Sequence, residues 1–219
     1  RGIVLGRTQE CAVMAYFIMG RSENSRNRVF VPFEGGIRTE AFDPSKMRDP
    51  SLIIYAPVRT VGEHTVVTNG DQTDTVAEAL LAGRRFEQAL ETRRFEPDAP
   101  HFTPRISGML CFSNGFSYKL SILKAGDSGG WAVLRHFFAY EPVRGVGHFI
   151  HTYQRDATPL PSFFGEPAPV SVPSDPDAFA RALWDGLDAE NKVALYVRYT
   201  DIGSGAYRDK LYNKYALED

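Results

Sequence analysis

Cysteine is scarce in this chain: Cys11 and Cys111 are the only two among 219 residues, with no Cys-x-x-Cys and no Cys/His cluster. Neither a disulfide framework nor a zinc site is indicated. Each cysteine lies in an apolar, strand-like run, where a free thiol behaves as a small hydrophobe, and the pair fits a reducing compartment. Long hydrophobic runs are missing as well; none reaches the ~18 residues of a membrane-spanning helix. No signal peptide is visible, although the chain begins at Arg1 without Met and leaves room for a segment upstream; a cytoplasmic location without a membrane partner is expected. There is no excess of positive charge. The net value is −2, and no basic field argues for nucleic acid. Several short catalytic fingerprints are absent too: Gly-x-Gly-x-x-Gly, a phosphate-binding P-loop, Gly-x-Ser-x-Gly and His-Glu-x-x-His. What remains is a chain with an ordinary 43% hydrophobic share, long enough for one large domain or two small ones.

Residues 12–19, Ala-Val-Met-Ala-Tyr-Phe-Ile-Met, are apolar at every position, as in a strand covered on both faces. Residues 1–6 read as its partner. Strands are also expected at 29–33, 106–112, 116–123, 131–140, 147–154 and 193–199, the last being the final strand. Asn114-Gly115 marks a hairpin turn. Residues 35–50 read as loop, with turn signals at Gly35-Gly36, Asp43-Pro44 and Asp49-Pro50. Leu52-Ile53-Ile54, carrying Tyr55, and Thr65 to Thr68 read as an antiparallel hairpin. Thr75 and Glu78 have capping-box spacing for a helix over 76–82, with a second helical stretch over 86–90 and a break near Gly83. Residues 156–176 hold six prolines and read as an extended strap. Ser174 is the expected cap of a helix whose apolar stripe is Phe179, Leu183, Trp184 and Leu187. That strap could mark a domain boundary, but the segment beyond it is too short to build a good core alone, so one domain over 1–219 is expected. Strands, a helix pair, more strands and a last helix give α+β with two stacked sheets and helices outside.

Four polar segments sit at element ends and are where chemistry is expected. Residues 20–28 hold Arg21, Arg26 and Arg28 among Ser and Asn, and guanidinium groups bind phosphate through paired donors. The ordinary alternative is a solvated turn with Glu23 as partner. Tyr55 with Arg59 follows an apolar run; its ordinary role is that of a core aromatic. Residues 69–75, Asn-Gly-Asp-Gln-Thr-Asp-Thr, are dense in donors and acceptors at a strand-to-helix turn. Glu96 lies between Phe95 and Pro97, where apolar neighbours raise a carboxyl pKa toward acid–base work, unless Arg93 or Arg94 simply pairs with it at the surface. His148 and His151 fall on opposite strand faces, so a shared metal is not expected.

In order and spacing these segments resemble the archaeal-type IMP cyclohydrolase family. The matching pieces are Gly6-Arg7, Arg21-Ser22 with Arg26, Ile54-Tyr55, Val67-Thr68-Asn69-Gly70 with Thr73-Asp74-Thr75, and Thr103-Pro104-Arg105-Ile106 preceded by Glu96. They run from residue 1 to about 125, while residues 147–167 are similar to bacterial members. Two departures stand out. Both Arg26 and Arg28 occupy a loop that carries one arginine in the archaeal pattern, and Gln72 stands in place of His.

The resemblance implies a four-layer αββα fold, N-terminal-nucleophile-hydrolase-like but without an autoprocessed nucleophile. It implies dehydrative closure of 5-formamidoimidazole-4-carboxamide ribotide to IMP, in a homo-oligomer, with no metal and no cofactor. It also implies site roles. Arg21, Ser22 and Arg26 or Arg28 would hold the phosphate or the formyl oxygen. Tyr55 would donate to the oxyanion and Glu96 would move the proton. Asn69, Asp71, Thr73 and Asp74 would bind the ribose and carboxamide edge, and Arg105 would orient Glu96 or meet the phosphate. Two rivals are a non-catalytic purine-nucleotide binder and an amide hydrolase of the same fold. The latter needs Cys, Ser or Thr at a mature N-terminus, where this sequence has Arg1.

Overall fold

A computed structural model describes residues 1–47, 50 and 52–215. It contains thirteen strands and four α-helices among those residues. In chain order these are β1 (Gly2–Arg7), β2 (Cys11–Met19), α1 (Glu23–Arg26), β3 (Val29–Phe33), β4 (Gly36–Glu40), β5 (Val58–Val61), β6 (His64–Thr68), α2 (Gln72–Leu81), α3 (Phe86–Glu91), β7 (Arg105–Cys111), β8 (Ser117–Ala125), β9 (Val133–Tyr140), β10 (Val146–His151), β11 (Ala168–Ser171), α4 (Pro176–Gly186), β12 (Lys192–Asp201) and β13 (Tyr207–Asn213). They form α+β architecture with two antiparallel sheets, ordered β11-β10-β1-β2-β12-β13 and β3-β4-β5-β6-β7-β8-β9.

The all-apolar β2 explains how the sheets stack. Side chains alternate across a strand. Met14, Tyr16 and Ile18 enter a core shared with Ile106, Leu110, Leu120 and Ile122 of the second sheet. Val13, Ala15 and Phe17 face the other way, against Phe179 and Ala180 of α4. On the far side of the second sheet, Val66, Met109 and Leu123 pack under Val76, Ala79, Phe86 and Leu90 of α2 and α3. Helices therefore cover the outer face of each sheet, and the largest core lies between the sheets.

Several local expectations are corrected. The segment read as loop over 35–50 contains β4 and a 3-10 turn, Pro44–Lys46; the Asp49-Pro50 turn signal falls partly outside the described residues. Leu52-Ile53-Ile54 is not a strand. The hairpin is β5 with β6, turning at Gly62 (φ +54°), and Tyr55 stands just before it. α2 starts at Gln72, so Thr75 and Glu78 lie inside the helix and do not cap it. Asp175, not Ser174, caps α4, accepting from the Asp177 and Ala178 N–H groups. The strap is partly strand: β11 pairs with β10. β12 is not the last strand, because β13 follows it.

Candidate active site

Antiparallel register brings polar residues to one end of the sandwich. The start of β1 lies beside the ends of β2 and β10 (Gly2 opposite Phe17 and His151). In the second sheet the start of β7 lies beside the ends of β6 and β8 (Thr68 opposite Ser107, Arg105 opposite Leu123). Between these two edges sit Arg1, Tyr16, Arg28, Tyr55 and Glu96.

Tyr55 is outside regular structure, and Thr39 of β4 pins it there. The Thr39 hydroxyl accepts from the Tyr55 N–H at 2.9 Å and donates to the Ile53 carbonyl at 2.6 Å, while the Thr39 N–H donates to the Tyr55 carbonyl at 2.9 Å. The ring then points inward, and its hydroxyl lies 2.8 Å from that of Tyr16. Glu96 is held by its backbone, whose N–H donates to the Thr103 carbonyl at 2.9 Å. Its carboxylate, 3% exposed as a residue, accepts from Arg1 Nη1 at 2.6 Å. Burial is the largest influence on this carboxyl and raises its pKa above the ordinary glutamate range, against the opposing pull of Arg1, Arg105 and Arg28. For the Arg1 guanidinium, burial favours proton loss, but Glu96 and the phenols of Tyr55, Tyr16 and Tyr153 outweigh it and hold the proton firmly.

Arg28 follows the short helix α1 and turns inward, only 1% exposed. Its Nε donates to the Ser25 carbonyl at 2.9 Å, and its Nη1 has no hydrogen-bond partner among the described residues. Burial is also the largest influence here and lowers the pKa, with Tyr55 pulling it up and Arg1 pushing it down. A guanidinium stays protonated in proteins, so its N–H groups remain donors in search of an acceptor.

The polar turn before α2 is a self-contained scaffold. Asn69 Nδ2 donates to the Pro104 carbonyl, and its Oδ1 accepts from the Gln72 amide and the Ile106 N–H. Thr73 shares its hydroxyl with Thr68 at 2.7 Å. Gln72 Oε1 accepts from Arg105 Nη1 at 2.6 Å, and Asp71 bridges Arg105 and Arg93. Those arginines hold Asp71 below the usual carboxylate range, overcoming the opposite effect of burial. A Cβ at Gly70 would lie 2.4 Å from Arg105 Nη1, so the missing side chain makes room for that arginine. Asp74 pairs with Arg59 at 2.7 Å.

The structure thus gathers Arg28, Tyr55 and Glu96, with Arg105 near enough to Glu96 to depress its pKa. Arg21, half exposed, pairs with Asp156 at 3.1 Å, and Ser22 caps α1. Arg26 donates to Asn191 Oδ1 at 3.3 Å. Sequence reasoning missed Arg1 and Tyr16, as well as Tyr153, whose hydroxyl bonds to that of Thr103 and whose pKa burial pushes up to about 12. The one signal for Tyr16 is a hydroxyl in an otherwise apolar strand. Arg1 gave none.

Comparison with known proteins finds a family and a relative. The profile of the family described as IMP cyclohydrolase-like protein matches residues 1–205. An IMP cyclohydrolase of Methanopyrus kandleri is 34% identical over 157 residues, spanning 70% of this chain and 73% of that protein.

Proposed function

This chain belongs to the family of IMP cyclohydrolase-like proteins, and from that premise we propose that its polar end closes 5-formamidoimidazole-4-carboxamide ribotide to IMP with loss of water. The attacking carboxamide nitrogen and the formyl carbon belong to one molecule, so the first task is to fix the reactive rotamer. An amide nitrogen is a weak nucleophile. Glu96, made more basic by burial, takes its proton as the N–C bond forms. Tyr55 gives its proton to the formyl oxygen, and Arg28 faces the negative charge that grows there. The tetrahedral adduct then loses water. Glu96 returns its proton to the departing hydroxyl, and the Tyr55 phenolate takes the hydrogen of the former formamido nitrogen as the C=N bond forms. Both side chains end as they began.

The observation that carries this reading is the buried Nη1 of Arg28, without a hydrogen-bond partner among the described residues, beside Tyr55 and Glu96. A donor taken out of water without an acceptor costs ~1–3 kcal/mol, and an anionic ligand removes that cost. We therefore assign the oxyanion to Arg28 in preference to Arg26, which Asn191 engages. In the same reading Arg21 and Ser22 meet the phosphate at the rim. Asn69, Thr73 and Arg105 hold the loop around Glu96, and Asp71 and Asp74 keep exposed oxygens for the ribose. Two further proposals go with it: the N-terminal-nucleophile-hydrolase-like αββα arrangement, supported by helices on the outer face of each sheet, and a cytoplasmic homo-oligomer. Sedimentation velocity tests the assembly.

The decisive experiment follows the ultraviolet change on incubating purified protein with the formamido ribotide. IMP formation is expected. Binding of IMP without turnover makes the protein a nucleotide binder and overturns the ring-closure reading.

A further inference from the structure

We propose that Tyr16 is a positioning residue for Tyr55: it donates its phenol hydrogen to the Tyr55 oxygen and so leaves the Tyr55 hydrogen free for the substrate. This rests on the ring-closure reading above. Tyr16 lies in the middle of β2 and faces the inter-sheet core, with Ile3 and Tyr196 opposite it in register. Its ring packs on Phe30 at 5.6 Å, a contact that phenylalanine would make equally well. The hydroxyl therefore needs its own explanation, since burying it costs free energy unless it is hydrogen-bonded.

Three observations supply one. Tyr16 is 0% exposed, out of reach of bulk solvent, and its oxygen has one hydrogen-bond partner among the described residues, Tyr55 at 2.8 Å. If Tyr55 were the donor, the Tyr16 hydrogen would be buried without an acceptor. Donor satisfaction thus fixes the direction of the bond. Second, Thr39 restrains the Tyr55 backbone but nothing of its ring; the far end of that side chain is fixed by Tyr16. Third, Arg1 and Arg28 are close enough to act electrostatically on both phenols, so negative charge arriving on the Tyr55 oxygen meets two cations and one donor.

Two measurements test this. In protein carrying tyrosine labelled with carbon-13 at the ring ε positions, the slowly exchanging hydroxyl proton of the pair should correlate with the Tyr16 ring. A slow proton on Tyr55 would reverse the bond and overturn the proposal. In the ring-closure assay, Tyr16→Phe should lower kcat roughly 10- to 100-fold, with KM held within about twofold, as expected when an acid loses alignment rather than its substrate. A tyrosine that only packs would lower thermal stability and leave kcat unchanged; that result overturns the proposal. If the wild-type protein binds the ribotide without turning it over, the ring-closure reading fails, and the location of the proton still decides the hydrogen bond. The labelled wild-type protein also serves if Tyr16→Phe does not fold.

Discussion

Glu96 is a carboxylate taken almost wholly out of water and then given a cation at 2.6 Å. The balance leaves its pKa raised, with burial the dominant cause. A raised pKa means the group is still protonated where an exposed glutamate, at about 4.3, is already ionised. As the base of the reaction it must be ionised, so activity falls on the acid side at a pH above that ordinary range. Arg1 is one of the groups pulling the value down. Arg1→Met should move the acid limb of kcat/KM upward, and a pH–rate profile of the two proteins checks it. Glu96→Gln, which keeps shape and removes basicity, should cut kcat by about 10²- to 10⁴-fold and leave IMP affinity within about threefold by calorimetry. Equal losses in both would make Glu96 a binding group. The setting of Glu96 between Phe95 and Pro97 was visible in the sequence, and so was Tyr55 after its apolar run. Their partners were not. Arg1 and Tyr16 stand 95 and 39 positions away, and only the pairing of sheets brings them across.

At the level of elements, legibility followed burial. β2 and the stripe of α4 announce themselves because their apolar residues repeat at the period of the structure they form. β4 and β13 do not. Arg38 and Glu40 in one, and Arg208, Asp209 and Lys210 in the other, leave no apolar period to read, and tertiary pairing makes both of them strands. In β13 the charges also guard an edge that would otherwise invite pairing with another chain. The start of α2 was misplaced for a related reason. Thr75 and Glu78 have the right spacing for a cap, but the Thr73 and Asp74 N–H groups already bond to the Gly70 and Asp71 carbonyls, so the turn begins earlier. The cap of α4 offers a clean test of separation between stability and chemistry. Asp175 serves a helix on the outer face of its sheet, away from the polar end. Asp175→Ala should lower stability by ~1 kcal/mol in a urea melt, with kcat unchanged. A matching loss of kcat would mean that α4 governs the site.

For the whole molecule, the central fact is that the polar end belongs to both sheets at once: Arg1 and Tyr16 come from one, while Tyr55, Glu96 and the residue before β3 come from the other. A ligand bound there ties the sheets together, so binding should register as global stability. At 100 times its Kd a ligand contributes ~2.7 kcal/mol. In a protein of this size each kcal/mol raises Tm by about 2–4 °C, so saturating IMP should raise it by about 5–10 °C. Arg28 separates that gain from the chemistry. Among the described residues its buried Nη1 has no hydrogen-bond partner, and its Nε donates to the Ser25 carbonyl. Arg28→Met keeps much of the volume and removes the desolvated charge. The variant should therefore melt at the wild-type temperature or above it without ligand, and should keep most of the IMP-dependent rise, because IMP no longer carries the formyl oxygen, while kcat falls by about 10²- to 10³-fold. A variant that melts several degrees lower on its own would make Arg28 a structural cation. One that keeps the wild-type kcat would take the oxyanion away from Arg28.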